Sequence, residues 1–343
     1  MTAAPDDSTL PWLAAPAHDI ATRQRGHALL VQGNPGAGVF ELALRVARTW
    51  LCEGENAPCG RCVACHLLAS NSHPDFRALL PELAQVELGW SVGGGDAPDG
   101  GDGEGGSKAK RKPSREIKID AVRDAITWTQ TSSSRGRAKV LLLFPADAMN
   151  LVASNALLKT LEEPPRGVRL LLVAEDAERL LPTLRSRCQR ILFDGPTPEQ
   201  ALEWLGGQGV ANAPVLLAAA GGHPLAARRL AADGFDAAAW LALPRRIADG
   251  RWDPPAGATV PRLREVLQKL CHDAMALAAG SAPRYFPAGS LPPVAAWPRL
   301  ADWSQSLARL ARHDEHPFNA PLITDSLLAE AKAVWARPRG RSV

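Results

Sequence analysis

The sequence predicts an open α/β domain followed by a helical remainder, and three observations predict it. Lys139-Val-Leu-Leu-Leu-Phe144 and Val168-Arg-Leu-Leu-Leu-Val173 are continuous apolar runs, the mark of strands buried on both faces of a parallel sheet. Helical segments alternate with such runs up to about residue 195. Beyond that point only helical periodicity is visible. Leu263, Val266, Leu267, Leu270, Cys271 and Met275 form one i, i+3, i+4 stripe, and Leu300, Trp303, Leu307 and Leu310 form another.

Taken in order, the first strand is expected at His27-Ala-Leu-Leu-Val-Gln32, ending in the turn Gly33-Asn-Pro-Gly-Ala-Gly38. A helix carrying Leu42, Leu44, Val46 and Trp50 follows, and then a cysteine cluster. The stretch from about 89 to 115 is Gly-rich and nearly free of large apolar side chains. It cannot bury enough surface to offset its ordering entropy, so a disordered insertion is expected there. Order returns at Ile117-Lys-Ile-Asp120, where Ile119, Val122, Ile126 and Thr129 share one helical face and Asp120 is placed to cap it. The helix between the two apolar runs is expected to stop at Glu162-Glu163-Pro164-Pro165, since proline cannot continue it. Pro196 and Pro198 mark a boundary, and no internal repeat is visible.

The chain has 343 residues, of which 46% are hydrophobic and 22% charged, values of an ordinary globular protein. No apolar run approaches the ~18 residues that would span a bilayer. The N-terminus, MTAAPDDSTLPWL, lacks a basic segment followed by an apolar one, so export is not expected and the cytoplasm is. A net charge of +3 is too small to argue for nucleic-acid or membrane binding by bulk electrostatics.

Four of six cysteines, Cys52, Cys59, Cys62 and Cys65, are clustered. In a chain without an export signal this spacing reads as metal-binding before it reads as a disulfide framework. Four thiolates suit tetrahedral Zn²⁺, and a closed Cys₄ set leaves no open position for catalysis, so a structural role is expected over a redox or iron–sulfur one. Only Arg61 and His66 lie in or beside the cluster, which offers little to a nucleic acid.

The turn Gly33, Gly36, Gly38 has the position of a phosphate-binding loop, in which backbone N–H groups feed a helix N-terminus. A working loop needs Lys and then Ser or Thr after the last glycine, and Val39 and Phe40 stand there instead. A glycine bend without nucleotide is the expectation. The strand ending in Phe144-Pro145-Ala146-Asp147 lacks the acid that would hold Mg²⁺, and Asp147 is expected to be a turn or cap residue. Arg187, in Ser186-Arg187-Cys188, reads from the residues alone as a solvated or salt-bridged arginine, and Cys188 as a small buried side chain.

Together these stretches, with Asn155-Ala-Leu-Leu-Lys-Thr-Leu-Glu-Glu-Pro-Pro165 and the run from Leu180 to Cys188, resemble the bacterial DNA polymerase III clamp-loader subunits, an AAA+ family. The resemblance covers residues 10 to about 195 firmly and the rest loosely, where Asn319 to Leu328 is similar to the family's collar helix. It implies a RecA-like P-loop domain over 1–195 with a zinc module at about 50–75, a helical lid over 196–243 and a helical collar over 244–343. The family's hydrolysing subunits, gamma and tau, keep four ATP-handling elements. Here those positions hold Val39 and Phe40, Phe144 and Pro145, Ala174 and Glu175, and Leu225, while Ser186-Arg187-Cys188 is intact.

That combination resembles the family's stator type, which does not hydrolyse ATP. The resemblance implies no ATP bound to this subunit, zinc on the four cysteines, and Arg187 offered in trans to a neighbour's ATP. It implies a hetero-oligomer with gamma/tau and delta, acting through the complex on the sliding clamp and primer-template DNA in replication, and no membrane. Two rivals differ in class: an active ATPase subunit, which the missing Lys-Ser/Thr pair disfavours, and a zinc-dependent nucleic-acid-binding module, which lacks a basic, aromatic-rich surface near the cysteines.

Overall fold

The computed structural model describes residues 10–90, 113–252, 259–311 and 319–336. Most of the Gly-rich stretch therefore lies outside the described residues. The chain divides into two compact units, 1–200 and 201–343.

The first unit is built on five parallel strands, β1 (Ala28–Gly33), β2 (Phe76–Leu79), β3 (Lys139–Leu143), β4 (Val168–Ala174) and β5 (Gln189–Phe193), in the order β2-β3-β4-β1-β5. The expected α/β sheet is thus present. Its register aligns Leu30 with Leu172 and Leu141 with Leu170, so alternate residues of neighbouring strands share a face. Its helices are α1 (Ala14–Arg23), α2 (Val39–Leu51), α3 (Val63–Ala69), α4 (Glu82–Leu88), α5 (Ile119–Thr129), α6 (Leu151–Glu162) and α7 (Pro182–Arg185).

Leu30, Leu141, Leu143, Leu170 and Leu172 pack with Val122 and Ala125 of α5 and Leu157 and Leu161 of α6 into one core. Asn150 caps α6 by accepting the N–H of Ala153 at 3.0 Å, and α6 ends at Glu162, ahead of Pro164 as expected. Asp120 departs from expectation. The N-cap of α5 is Lys118, and Asp120 sits in the first turn, 3.9 Å from Arg123 one turn on. An acid in that turn still favours the helix through the exposed N–H groups at its start.

Among the described residues of the second unit the long regular elements are all helices: α8 (Pro198–Gly207, which begins at the edge of the first unit), α9 (Ala213–Ala219), α10 (Pro224–Ala232), α11 (Ala237–Ala248), α12 (Val260–Ala278), α13 (Trp297–Ala311) and α14 (Ala320–Trp335). Both predicted stripes face its core, where Leu263, Leu267, Leu270, Leu300, Trp303 and Leu307 are buried. Met275 and Leu310 are only partly buried, at the edges of that core. Trp240 of α11 stacks on Phe286 at 4.4 Å, so one core joins residues on both sides of position 243. The carboxylate of Asp273, fully buried, accepts the N–H groups of Arg284, Tyr285 and Phe286 at 2.7–2.8 Å and fixes the chain after α12.

Candidate functional site

Three places carry the chemistry anticipated from the sequence, and all lie in the first unit. The first is the turn between β1 and α2. Three of its N–H groups are donated within the turn itself. Gly36 donates to the Oδ1 of Asn34 at 2.8 Å, Ala37 to the carbonyl of Asn34 at 3.0 Å, and Gly38 to that of Pro35 at 3.1 Å. The turn has closed into a 3₁₀ segment, Pro35–Ala37, and Gly38 takes φ +97°, a value that only glycine adopts cheaply, to start α2. The indole Nε1 of Trp12 donates to the carbonyl of Ala37 at 3.0 Å and so pins the N-terminal segment on the turn.

Around the start of α2, Phe40 lies 4.7 Å from Phe144 and edge-on to Trp90 at 5.5 Å. Phe40 and Phe144 are buried, and they stand where a metal-binding hydroxyl and an acid would be needed. Three aromatic rings thus occupy that corner. Trp90 was unforeseen: position 90 falls inside the stretch expected to be disordered, yet its N–H donates to the carbonyl of Gln85 at 2.8 Å. Polar groups remain at the outer rim. The Nδ2 of Asn34 donates to Glu175 Oε1 at 3.1 Å, and Glu175's carboxyl is raised above the usual range by burial and then by the nearby Asp147 charge. Asp147 lies in the turn after β3, as expected, with Arg179 at 3.7 Å.

The second place is the cysteine module. The four Sγ atoms lie within 4.8 Å of one another, with Cys52 to Cys62 at 3.9 Å and Cys59 to Cys65 at 4.0 Å. A disulfide needs sulfurs at about 2.05 Å. A tetrahedron of thiolates around Zn²⁺, with Zn–S of about 2.3 Å, has edges of roughly 3.8 Å. The 3.9 and 4.0 Å separations are close to such an edge, so this donor set could hold a four-coordinate metal with all four positions taken by sulfur.

Backbone N–H groups converge on the sulfurs. Gly54 and Cys59 donate to Cys52 at 3.3 Å each, and Cys65 donates to Cys62 at 3.4 Å. Burial alone would raise the Cys62 thiol, but donors from Glu53 and Cys65 bring it down to about 6. Burial and the neighbouring Cys62 push Cys65 up to about 12. Gly54 has no room for a side chain, because a Cβ there would sit 2.8 Å from the Cys59 sulfur. The module is tied to the sheet by Glu53, whose Oε1 accepts from Arg135 Nε at 2.6 Å. Arg135 in turn follows a loop held by the buried Asp75, which accepts Ser133 Oγ, Ser134 N–H and Arg135 N–H at 2.8–3.0 Å.

The third place is the rim formed by α6 and α7. Arg187 donates through Nε to Glu162 Oε1 at 2.6 Å, and its Nη2 pairs with the same oxygen. Its Nη1 donates to the carbonyl of Thr183 at 2.7 Å. The salt-bridged state expected of Arg187 is present, with Glu162 as its partner. The Ser186 hydroxyl donates to the Thr183 carbonyl at 3.1 Å. Cys188 packs against the sheet core, and burial raises its thiol to about 12, as suits an inert side chain.

Fold and site together define a parallel α/β domain whose glycine turn after β1 bonds its N–H groups within the turn and which carries a Cys₄ module. The sequence profile described as "DNA polymerase III, delta subunit" matches residues 14–197. Among curated proteins, the chain is 38% identical over 232 residues to DNA polymerase III subunit delta' of Pseudomonas aeruginosa, an overlap of 65% of this chain and 62% of that protein. It is 34% identical over 255 residues to the subunit delta' of Escherichia coli, covering 71% of this chain and 67% of that one. Among solved structures, a gamma subunit-related protein of DNA polymerase III from Thermotoga maritima is similar at 15% identity and a TM-score of 0.44, covering 94% of this chain and 99% of that one. The chain belongs to the DNA polymerase III delta-subunit family, alongside relatives named subunit delta'. The match spans about 62% of the length of the Pseudomonas relative. No described helix is long and apolar enough to cross a membrane.

Proposed function

We propose that this chain is a stator subunit of a DNA polymerase III clamp loader, one that neither binds nor hydrolyses ATP and supplies Arg187 to a neighbouring ATPase subunit. The observation that carries the reading is a contrast within one domain. The turn that would hold its own nucleotide has its N–H groups turned inward and aromatic rings beside it, while Arg187 stands at the rim with its side chain 33% exposed. A guanidinium reaching a neighbour's γ-phosphate would stabilise the charge that builds there during phosphoryl transfer.

The remaining parts follow from the same reading. Cys52, Cys59, Cys62 and Cys65 hold structural Zn²⁺, which supplies folding energy to the module and takes no part in a reaction. The helical residues comprise a lid over 196–243 and a collar over 244–343 that assembles the chain with gamma/tau and delta subunits, the two joined through α11 and the core that Trp240 shares with Phe286. The complex loads the sliding clamp on primer-template DNA in the cytoplasm, and this chain acts on clamp and DNA only as part of it.

The test is Arg187→Ala in the reconstituted complex. DNA-stimulated ATP hydrolysis at the adjoining site should fall by about 10³-fold or more, the range of such arginines, with assembly unchanged. Unaltered hydrolysis in an intact complex would refute the role given to Arg187.

A further inference from the structure

Arg187 is held by a single carboxylate, and the chemistry of that contact reaches beyond a surface salt bridge. Glu162 closes α6, where the last carbonyls of the helix disfavour negative charge. An acid there is not explained by helix stability. Its Oε1 accepts from both Nε and Nη2 of Arg187, while the Thr183 carbonyl in α7 takes Nη1. All three guanidinium nitrogens are therefore engaged by groups on two helical elements of the same compact unit, and the plane of the fork is set. Glu162 and Arg187 are 48% and 33% exposed, so the pair stays reachable from outside.

We propose that Glu162 is the positioning residue of Arg187. It orients the guanidinium by two-point hydrogen bonding to one oxygen, so that the arginine meets the neighbour's phosphate already aligned. The inference rests on the finger reading above and deepens it. Glu162 touches no substrate and acts only through Arg187.

Two conservative substitutions separate orientation from charge. Glu162→Gln keeps an oxygen at the same reach and loses the charge. Glu162→Asp keeps the charge and withdraws the oxygen by one methylene. In the reconstituted complex with ATP, Mg²⁺ and primed DNA, Glu162→Gln should keep kcat within a few-fold of wild type. Glu162→Asp should lower kcat by about ten- to a hundredfold, the range expected when a reacting group is misplaced by about 1 Å. KM for ATP should change little, and thermal unfolding of both variants should stay near wild type, because exposed ion pairs contribute little to stability.

The same Asp substitution placed in the Arg187→Ala background should cause no further loss. A Glu162→Asp complex as active as wild type, or one that loses activity equally in both backgrounds, overturns the positioning role and leaves the finger reading standing. An Arg187→Ala complex that hydrolyses ATP normally overturns both.

Discussion

Two glycine-bearing turns in this domain use their backbone N–H groups in opposite ways. In the turn 33–38 the N–H groups of Gly36, Ala37 and Gly38 are donated to acceptors of the turn itself. In the module 52–65 the N–H groups of Gly54, Cys59 and Cys65 are donated to sulfur, and the donor from Cys65 helps to lower the Cys62 thiol. The glycines look alike in both. What differs is the acceptor, and the acceptor decides whether a turn presents a site or merely closes a bend. A glycine pattern that resembles a phosphate loop is therefore weak evidence until the direction of its donors is known.

The largest expected effect lies on the module side of that contrast. Cys59→Ser should abolish stoichiometric metal, read by atomic emission, and unfold the segment around 50–75, since metal binding and folding of such a module are one event. Strong chelation of the wild-type chain should give the same outcome. Retention of a folded module without metal would remove the distinction between the two turns.

Next is the support beneath the module. Asp75→Ala removes the buried acceptor shared by Ser133, Ser134 and Arg135, three hydrogen bonds to a charged group. A loss of about 3 kcal/mol in chemical denaturation is expected, with the Glu53–Arg135 tie loosened as a result. A change below about 1 kcal/mol would show that the loop holds its shape without the carboxylate. The smallest effect belongs to the closed turn. Trp12→Phe keeps the ring and removes the hydrogen bond to Ala37, at a cost of about 1 kcal/mol. A much larger loss would mean that the N-terminal segment, rather than the turn's own hydrogen bonds, keeps the bend shut.

How much of this was legible in the sequence follows from the length and locality of each signal. The runs at β1, β3 and β4 stood out because buried parallel strands are apolar without interruption. Phe76–Leu79 is only four residues long, and Gln189–Phe193 opens on Gln and Arg with most of its residues exposed, so neither edge strand has that signature. The cysteine set was fully legible because its ligands are close in sequence. The pairing of Arg187 with Glu162 joins positions 25 apart, and spacing along the chain says nothing of it. Trp90 sits at the edge of a Gly-rich stretch whose composition argues for disorder, and the one large ring there is the side chain that packs, against Phe40. Asp120 lies two residues past the cap, and a first-turn acid and a capping acid are nearly the same pattern before the backbone is known.

The most direct measurement is a calorimetric titration of the purified chain with ATP and Mg²⁺. With the donors of the turn directed inward and aromatic rings at Phe40, Trp90 and Phe144, no binding is expected at millimolar nucleotide. Micromolar affinity would contradict a closed turn. It would show that the bend reopens for phosphate, and that this chain handles nucleotide on its own account.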